Sequence, residues 1–320
     1  ISYFNIENTK ANIRELSIEH IQSFGHITKQ RILQYLKAEE KEVYIFNSRV
    51  LLRKTLENHI NEPNEEILTT IKAIIDSSYP NNGVIKDIII LDAKGKIVAS
   101  KSNRATENNF YFDMFNKAKN GMYSQLSFTN DDKKPILRTG APIFNNNTFV
   151  GVSVFYLNID ELYEILEQRS SLGKTGETLL GAYNENKNIV LFSPLRFSKT
   201  VLVISPSQTM QAVPMRLALK NKADEIVENE LDYRDVRVVS SVHYFEPLNI
   251  GIVVKKDTEE IMEPIKRLMV ELIIISVLGL IASIIISFLI ARRITTTINK
   301  IVNTTASISE GNIHKRIEPK

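Results

Sequence analysis

Cysteine is absent from this chain of 320 residues. That absence removes disulfide frameworks, thiolate metal sites and cysteine nucleophiles together. It leaves either side of a bacterial membrane open as a compartment. Charge of one sign is also scarce: 40 basic against 37 acidic residues leave a net charge of +3. With no long Lys/Arg run, nothing points to nucleic acid. The five histidines (His20, His26, His59, His243, His314) are scattered, without the spacing of metal ligands. No Gly-x-Ser-x-Gly elbow occurs, and no pair of carboxylates sits in a suggestive context. No catalytic residue and no cofactor is therefore expected in this segment. Leu172-Gly-Lys-Thr-Gly-Glu177 resembles the tail of a phosphate-binding loop, but Gln168 stands where the loop needs its first glycine. A surface turn is expected there. There is no signal peptide, and the chain opens on Ile1 rather than Met, so a longer protein is expected to continue upstream.

What is present is apolar material enough for sizeable cores: 43% of the residues are hydrophobic and 24% charged. The strongest signal is Leu272–Ile290, 19 residues without a charge, interrupted only by three serines and one glycine. At 1.5 Å per residue this stretch reaches about 28 Å, close to the thickness of a bilayer's hydrocarbon core. Ile and Leu lie on all sides, where a buried core helix would show a polar face. Arg292, Arg293 and Lys300 follow it; Lys255, Lys256, Lys266 and Arg267 precede it. The count of positive charges is close to a draw, and the arginine pair at the boundary favours a cytoplasmic C-terminus.

From Asn5 to His59 there is no proline and a single glycine, Gly25. Apolar residues at Ile18, Ile21, Phe24, Ile32, Leu36, Val43, Phe46 and Val50 step by threes, fours and their sums. This predicts one long helix, or two in line with a loop near Gly25. About fifty helical residues span about 75 Å, a length that suits a helix standing on a membrane and packing along a partner. A parallel homodimer along this stripe is expected. After Pro63 the pattern becomes one of strands. Asp87–Asp92, Ile97–Ser100, Met122–Phe128, Pro135–Phe144 and Phe149–Ile159 alternate or run apolar between turns, with a helix over Phe110–Lys119. Asp160-Glu161 then open a helix with acids in its first turn. The same grammar returns about a hundred residues later. Glu177–Tyr183 and Ile189–Ser193 form a second hairpin, and Gly251-Ile-Val-Val echoes Gly151-Val-Ser-Val. Two modules of one fold are expected, the second smaller.

In this order the residues resemble the double-Cache sensors of prokaryotic chemoreceptors, histidine kinases and cyclases. The more specific stretches are Gly173-Lys-Thr-Gly-Glu177, Ser193-Pro-Leu-Arg196, Ala212-Val-Pro-Met-Arg-Leu-Ala218 and Asp232-Tyr-Arg234. The resemblance implies an α+β chain: a long N-terminal helix (1–62), two PAS-like antiparallel-sheet modules (63–168 distal, 169–262 proximal to the membrane) and a lead-in (263–271). A transmembrane helix (272–290) and the first helix of a HAMP relay (291–320) complete it. It places 1–270 outside the cytoplasmic membrane and 292–320 inside, with another span upstream of Ile1. Arg293–Ile301 and Ile308-Ser-Glu-Gly311 are similar to the HAMP helix and connector. That family usually has proline where Thr297 stands, which argues against a sharp break after the span.

The resemblance also implies a ligand in the distal module. In amino-acid-sensing relatives an arginine two positions before an aromatic pair takes the ligand carboxylate, and an aspartate on the last strand takes its ammonium. Here the pair is Tyr111-Phe112, and those two positions hold Asn109 and Tyr156. Burying either ligand charge without a partner is costly, so ordinary α-amino acids are not expected to bind. Asn109, Tyr111, Phe112, Ser127, Thr129 and Tyr156 offer neutral hydrogen bonds and an aromatic wall, and Arg138 is the nearby cation that could accept a small organic anion. The leading expectation is a receptor for a small polar molecule or organic anion. The alternative is a scaffold that docks a periplasmic binding protein; the output module, whether kinase, cyclase or methyl-accepting, lies beyond Lys320.

Overall fold

The computed structural model describes residues 2–79, 85–102, 108–128, 135–167, 170–198 and 200–309. The chain divides into two compact units, one of residues 11–261 and one of residues 1–10 with 262–320. Helix α1 (Ser2–Asn47) runs unbroken through Gly25. Its buried side chains Ile21, Ile32, Leu36, Val43 and Phe46 lie on one stripe. It ends because Asn47 turns its amide onto the carbonyls of Ala141 and Pro142, 3.2 and 3.3 Å away, and Arg49 adopts an extended backbone. Helix α2 (Val50–Asn61) follows at once. Helix α3 (Glu65–Ser78) starts where the Asn64 side chain accepts from Ile67 N at 2.8 Å, with Glu65 and Glu66 in its first turn.

Five antiparallel strands come next: β1 (Ile85–Asp92), β2 (Ile97–Ser100), β3 (Tyr123–Ser127), β4 (Ile136–Asn145) and β5 (Thr148–Leu157). Helix α4 (Asn108–Ala118) lies between β2 and β3 in sequence, and helix α5 (Asp160–Glu167) follows β5. The second set of strands is β6 (Glu177–Tyr183), β7 (Ile189–Leu191), β8 (Leu202–Ile204), β9 (Glu225–Leu231), β10 (Arg237–Phe245) and β11 (Ile250–Asp257), with helix α6 (Val213–Asn221) between β8 and β9. The first sheet runs β2-β1-β5-β4-β3 and the second β8-β7-β6-β11-β10-β9. Without the edge strand β8, the second order repeats the first, and α4 and α6 hold equivalent places. The fold is α+β, with a long N-terminal helix and two antiparallel sheets of five and six strands.

Each sheet has two covered faces. One face of the first packs on the helices before it, and its cluster continues without a gap into the second sheet through Leu180, Phe192, Phe245 and Ile252. Phe46, Phe155 and Phe192 are fully buried in it, each worth about 2–3 kcal/mol of transfer free energy. The opposite face of the first sheet carries α4 through Ile89, Leu91, Met114, Phe115, Ala118, Val152 and Val154. The opposite face of the second carries α6 through Met215, Ala218 and Leu219.

Strand β11 passes into helix α7 (Thr258–Ser309) with no loop between Asp257 and Thr258. α7 holds the apolar stretch read from the sequence, and among the described residues it is the one helix long and apolar enough to cross a membrane. It does not break at Thr297, whose hydroxyl donates to the Arg293 carbonyl at 2.9 Å.

Candidate functional site

The α4 face of the five-stranded sheet is apolar at one end and polar at the other. Register makes the polar end. Tyr156 on β5 pairs with Asp87 on β1 and with Arg138 on β4, and Arg138 pairs with Gln125 on β3. Directly paired residues share a face, so Asp87, Tyr156, Arg138 and Gln125 form one row across four strands. The Arg138 guanidinium, in a residue only 5% exposed, lies 5.2 Å from the centroid of the Tyr156 ring, within cation–π range. Tyr111, buried in the first turn of α4, packs edge-on against Tyr156 with centroids 6.3 Å apart. Burial pushes the Tyr156 phenol up, with Arg138 pulling the other way and Tyr111 and Asp87 adding to the rise. The phenol therefore stays protonated at neutral pH and can donate a hydrogen bond.

The structure thus brings Tyr111, Arg138 and Tyr156 together. Ser127, at the end of β3, is buried, and its hydroxyl donates to the Ile136 carbonyl at 3.4 Å. Phe112 does not join them: it is 56% exposed and stacks on Phe115. Asn109 belongs to the first turn of α4, but its side chain, like all of Thr129, lies outside the described residues. A cleft of about 800 Å³ runs along β2 and α3, lined by Leu68, Thr69, Lys72 and Lys96 among others, and among the described residues it reaches Tyr111 alone of those expected.

Asp87 escaped the sequence reading because it opens an apolar run. Counting by twos from Ile89 and Leu91 would have set it on the α4 face. Its carboxylate accepts from Ile88 N at 2.8 Å, from Ser102 N at 3.0 Å and from the Ser102 hydroxyl. The row therefore holds an acid and a base on either side of position 156, and the acid is already engaged by its own chain.

The six-stranded sheet gathers the stretches quoted above into a buried charged network. Lys255 is wholly buried, 3.0 Å from Glu177 and 2.7 Å from Asp232. Arg234 reaches Asp232 at 2.7 Å and also Asp257. The Tyr233 hydroxyl donates to Glu177 at 3.0 Å, and Arg196 N donates to the same carboxylate at 2.6 Å. Burial alone would raise the Asp232 carboxyl, but Lys255 and Arg234 hold it below its ordinary value.

A third cluster, Asp224, His243 and Ser241, has the connectivity of a hydrolytic triad. His243 Nδ1 is 3.1 Å from Asp224, and Nε2 is 2.8 Å from the Ser241 hydroxyl. Ser241 is 1% exposed, however, and Gly25 of α1 covers the ring so closely that a Cβ there would lie 2.3 Å from Nε2. No substrate can reach that hydroxyl, and the cluster seats the helix on the sheet.

Residues 7–265 match the Cache domain family dCache_1. The chain belongs to the Cache domain family. No curated protein matches the sequence. Among solved structures, the Cache fold is similar to the sensory domain of the Campylobacter jejuni chemoreceptor Tlp3, solved with isoleucine bound. That similarity has TM-score 0.54 and 12% identity over 80% of this chain and 98% of that one. It is also similar to the ligand-binding domain of the Pseudomonas aeruginosa amino-acid chemoreceptor PctC in complex with GABA, with TM-score 0.53 and 16% identity over 75% and 99% of the two chains. A domain of a sensory box/GGDEF family protein from Vibrio parahaemolyticus matches with TM-score 0.50 and 12% identity over 78% and 99%. These likenesses show a shared fold.

Proposed function

We propose that this chain is the extracytoplasmic sensing and transmembrane signalling region of a prokaryotic receptor. In this reading residues 63–168 form the membrane-distal Cache module and 169–262 the proximal one. Residues 272–290 cross the cytoplasmic membrane, and 292–320 begin a HAMP relay on its inner side. Two copies pair in parallel along the face of α1 that carries the exposed Leu16 and Ile27, because the stripe of Ile32, Leu36, Val43 and Phe46 is buried in the chain's own core. A ligand shifts such a receptor only by its differential affinity for two states.

The observation that carries the reading is the row Asp87–Tyr156–Arg138 beneath Tyr111. It supplies a buried cation, a protonated phenol and an aromatic wall on the face of the distal module that α4 leaves polar. Asp87 already accepts three hydrogen bonds from its own chain, which weakens its hold on a ligand ammonium. The ligand is a small organic anion, or a small polar molecule that uses the phenol, and not an ordinary α-amino acid. Calorimetry on the chain in lipid nanodiscs, against the twenty amino acids and a panel of small mono- and dicarboxylates, tests this. Binding of a carboxylate that Arg138→Ala weakens at least tenfold is the expected result. Micromolar binding of an amino acid, lost in Tyr156→Phe, would refute it.

A second reading rests on a different feature. Tyr44, Met122 and Phe144 are exposed around a cleft of about 390 Å³ at the junction of α1 with β4. Large exposed apolar side chains of this kind favour protein docking, and a periplasmic binding protein is the partner this reading supplies. A silent calorimetric panel would favour it.

A further inference from the structure

The start of α7 is capped in an unusual way. A glutamate at the third position of a helix ordinarily reaches back to the amide before the first turn and closes a capping box. Glu260 holds that position but turns elsewhere. Its carboxylate accepts from Lys174 N at 2.9 Å, from Thr175 N at 2.7 Å and from the Thr175 hydroxyl at 2.5 Å. The amide it leaves, Asp257 N, donates instead to the Thr175 hydroxyl at 3.1 Å. Both partners of that one hydrogen bond, the Glu260 carboxylate and the Asp257 amide, are thus rerouted to a loop more than eighty residues earlier in the chain.

That loop is shaped for an anion. Gly173 has φ +82°, a conformation that favours glycine, and a Cβ there would lie 2.3 Å from Glu260 Oε1 and displace that carboxylate. Successive amides that converge after such a glycine form a concave anion-binding nest. Lys256 adds a cation 3.4 Å from the carboxylate. The Arg196 guanidinium bonds the carbonyls of Gly173, at 2.8 Å, and of Lys174, which holds the loop open from behind. Burial disfavours the Glu260 charge, but the hydrogen bonds of Thr175 and Lys174 and the nearby Lys256 outweigh it and hold the carboxyl down at about 2. The buried network reaches the same point, because Arg234 bonds Asp257, whose amide Thr175 receives.

We infer that Gly173–Thr175 is an internal anion nest whose resident anion is Glu260, and that this clasp is what positions the first turn of α7 on the six-stranded sheet. Glu260 and Thr175 are positioning residues for the helix that carries the apolar stretch. The assignment does not depend on what the chain senses.

Hydrogen exchange on the whole chain in lipid nanodiscs tests it. In Glu260→Ala, amides 257–265 together with 174 and 175 should exchange at least about tenfold faster, the loss of one charge-assisted cluster of hydrogen bonds. The rest of residues 11–261 should be unchanged. Formate, a free carboxylate that fits the vacated nest, should slow those amides again, and chloride at equal ionic strength should not. Unchanged exchange in Glu260→Ala overturns the proposal, as does recovery in chloride equal to that in formate. If Glu260→Ala does not fold, Thr175→Val carries the test. Acceleration confined to the same two segments supports the clasp, and unaltered exchange there overturns it.

Discussion

Replacing a helical glycine by alanine usually stabilises a protein by about 1 kcal/mol, because alanine has less backbone entropy to lose. At Gly25 the opposite sign is expected. The new methyl carbon would stand 2.3 Å from His243 Nε2, 3.0 Å from Cδ2 and 3.1 Å from the Ser241 hydroxyl. The ring has nowhere to go. Ser241 holds one nitrogen at 2.8 Å and Asp224 faces the other at 3.1 Å, while Lys29 of α1 pins Asp224 at 2.9 and 3.0 Å. Relief must come from lifting α1 off the sheet. Overpacking of this kind costs about 1–3 kcal/mol, so the net expectation for Gly25→Ala is a loss of up to about 2 kcal/mol. For a unit of this size that lowers Tm by up to about 8 °C. Differential scanning calorimetry of wild type, Gly25→Ala, His243→Ala and the double variant closes a thermodynamic cycle. In the His243→Ala background the methyl group has space, and Gly25→Ala should recover its ordinary gain. A Gly25→Ala protein more stable than wild type, with no coupling to position 243, would refute the reasoning.

Two further outcomes follow from buried charge. Glu39 on α1 is 9% exposed, and burial together with Glu161 and Glu42 lifts its carboxyl from 4.5 to about 7. The native state therefore keeps a proton that the unfolded chain releases. The stability this contributes is fully present below about pH 4.5 and is lost as pH rises through 7, by at most about 3 kcal/mol. Glu39→Gln should match wild type below that window and exceed it at pH 8 in urea titrations; equal midpoints at pH 8 would disprove the assignment. Lys255→Met should cost about 3–5 kcal/mol, because it strands Glu177 in the interior without a cation and leaves Asp232 to Arg234 alone. Adding Glu177→Gln should restore part of that loss, and a single-variant cost below about 1 kcal/mol would mean that the buried pairing is not as described.

Much of the fold was legible because it obeys local rules. The return strand Ile97–Ser100 and the acid-led helix at Asp160 lie where alternation and first-turn acids put them. The long helix was legible too, but its joint was not. Gly25 is the natural place to look for a break, yet the helix passes through it because the glycine admits a histidine ring. The break at Ser48–Arg49 is made by Asn47 bonding to β4, a tertiary contact with no local signature. The candidate site divides in the same way. Tyr111 and Tyr156 could be found by motif, whereas their meeting with Arg138 and Asp87 depends on strand register. Lys255 illustrates the limit best. It stands in a count of positive charges near the apolar stretch, yet it is wholly buried between Glu177 and Asp232 and has no bearing on that balance. The glycine loop at 173 reads from the sequence as a surface turn only; that its amides close on the Glu260 carboxylate depends on a tertiary contact.

The order of strands has a consequence for how such chains change over time. In each sheet the last strand made, β5 or β11, lies in the interior between the first strand and the fourth or its counterpart, and the chain departs from there into a helix. Growth at the rim therefore leaves the exit untouched, and β8, the extra strand of the second sheet, sits at the rim. A lineage could lengthen, trim or redecorate either edge while the strand that leads onward kept both its neighbours. Units wired this way can be set in series like couplings on a shaft, each free to vary in girth while the drive line stays the same.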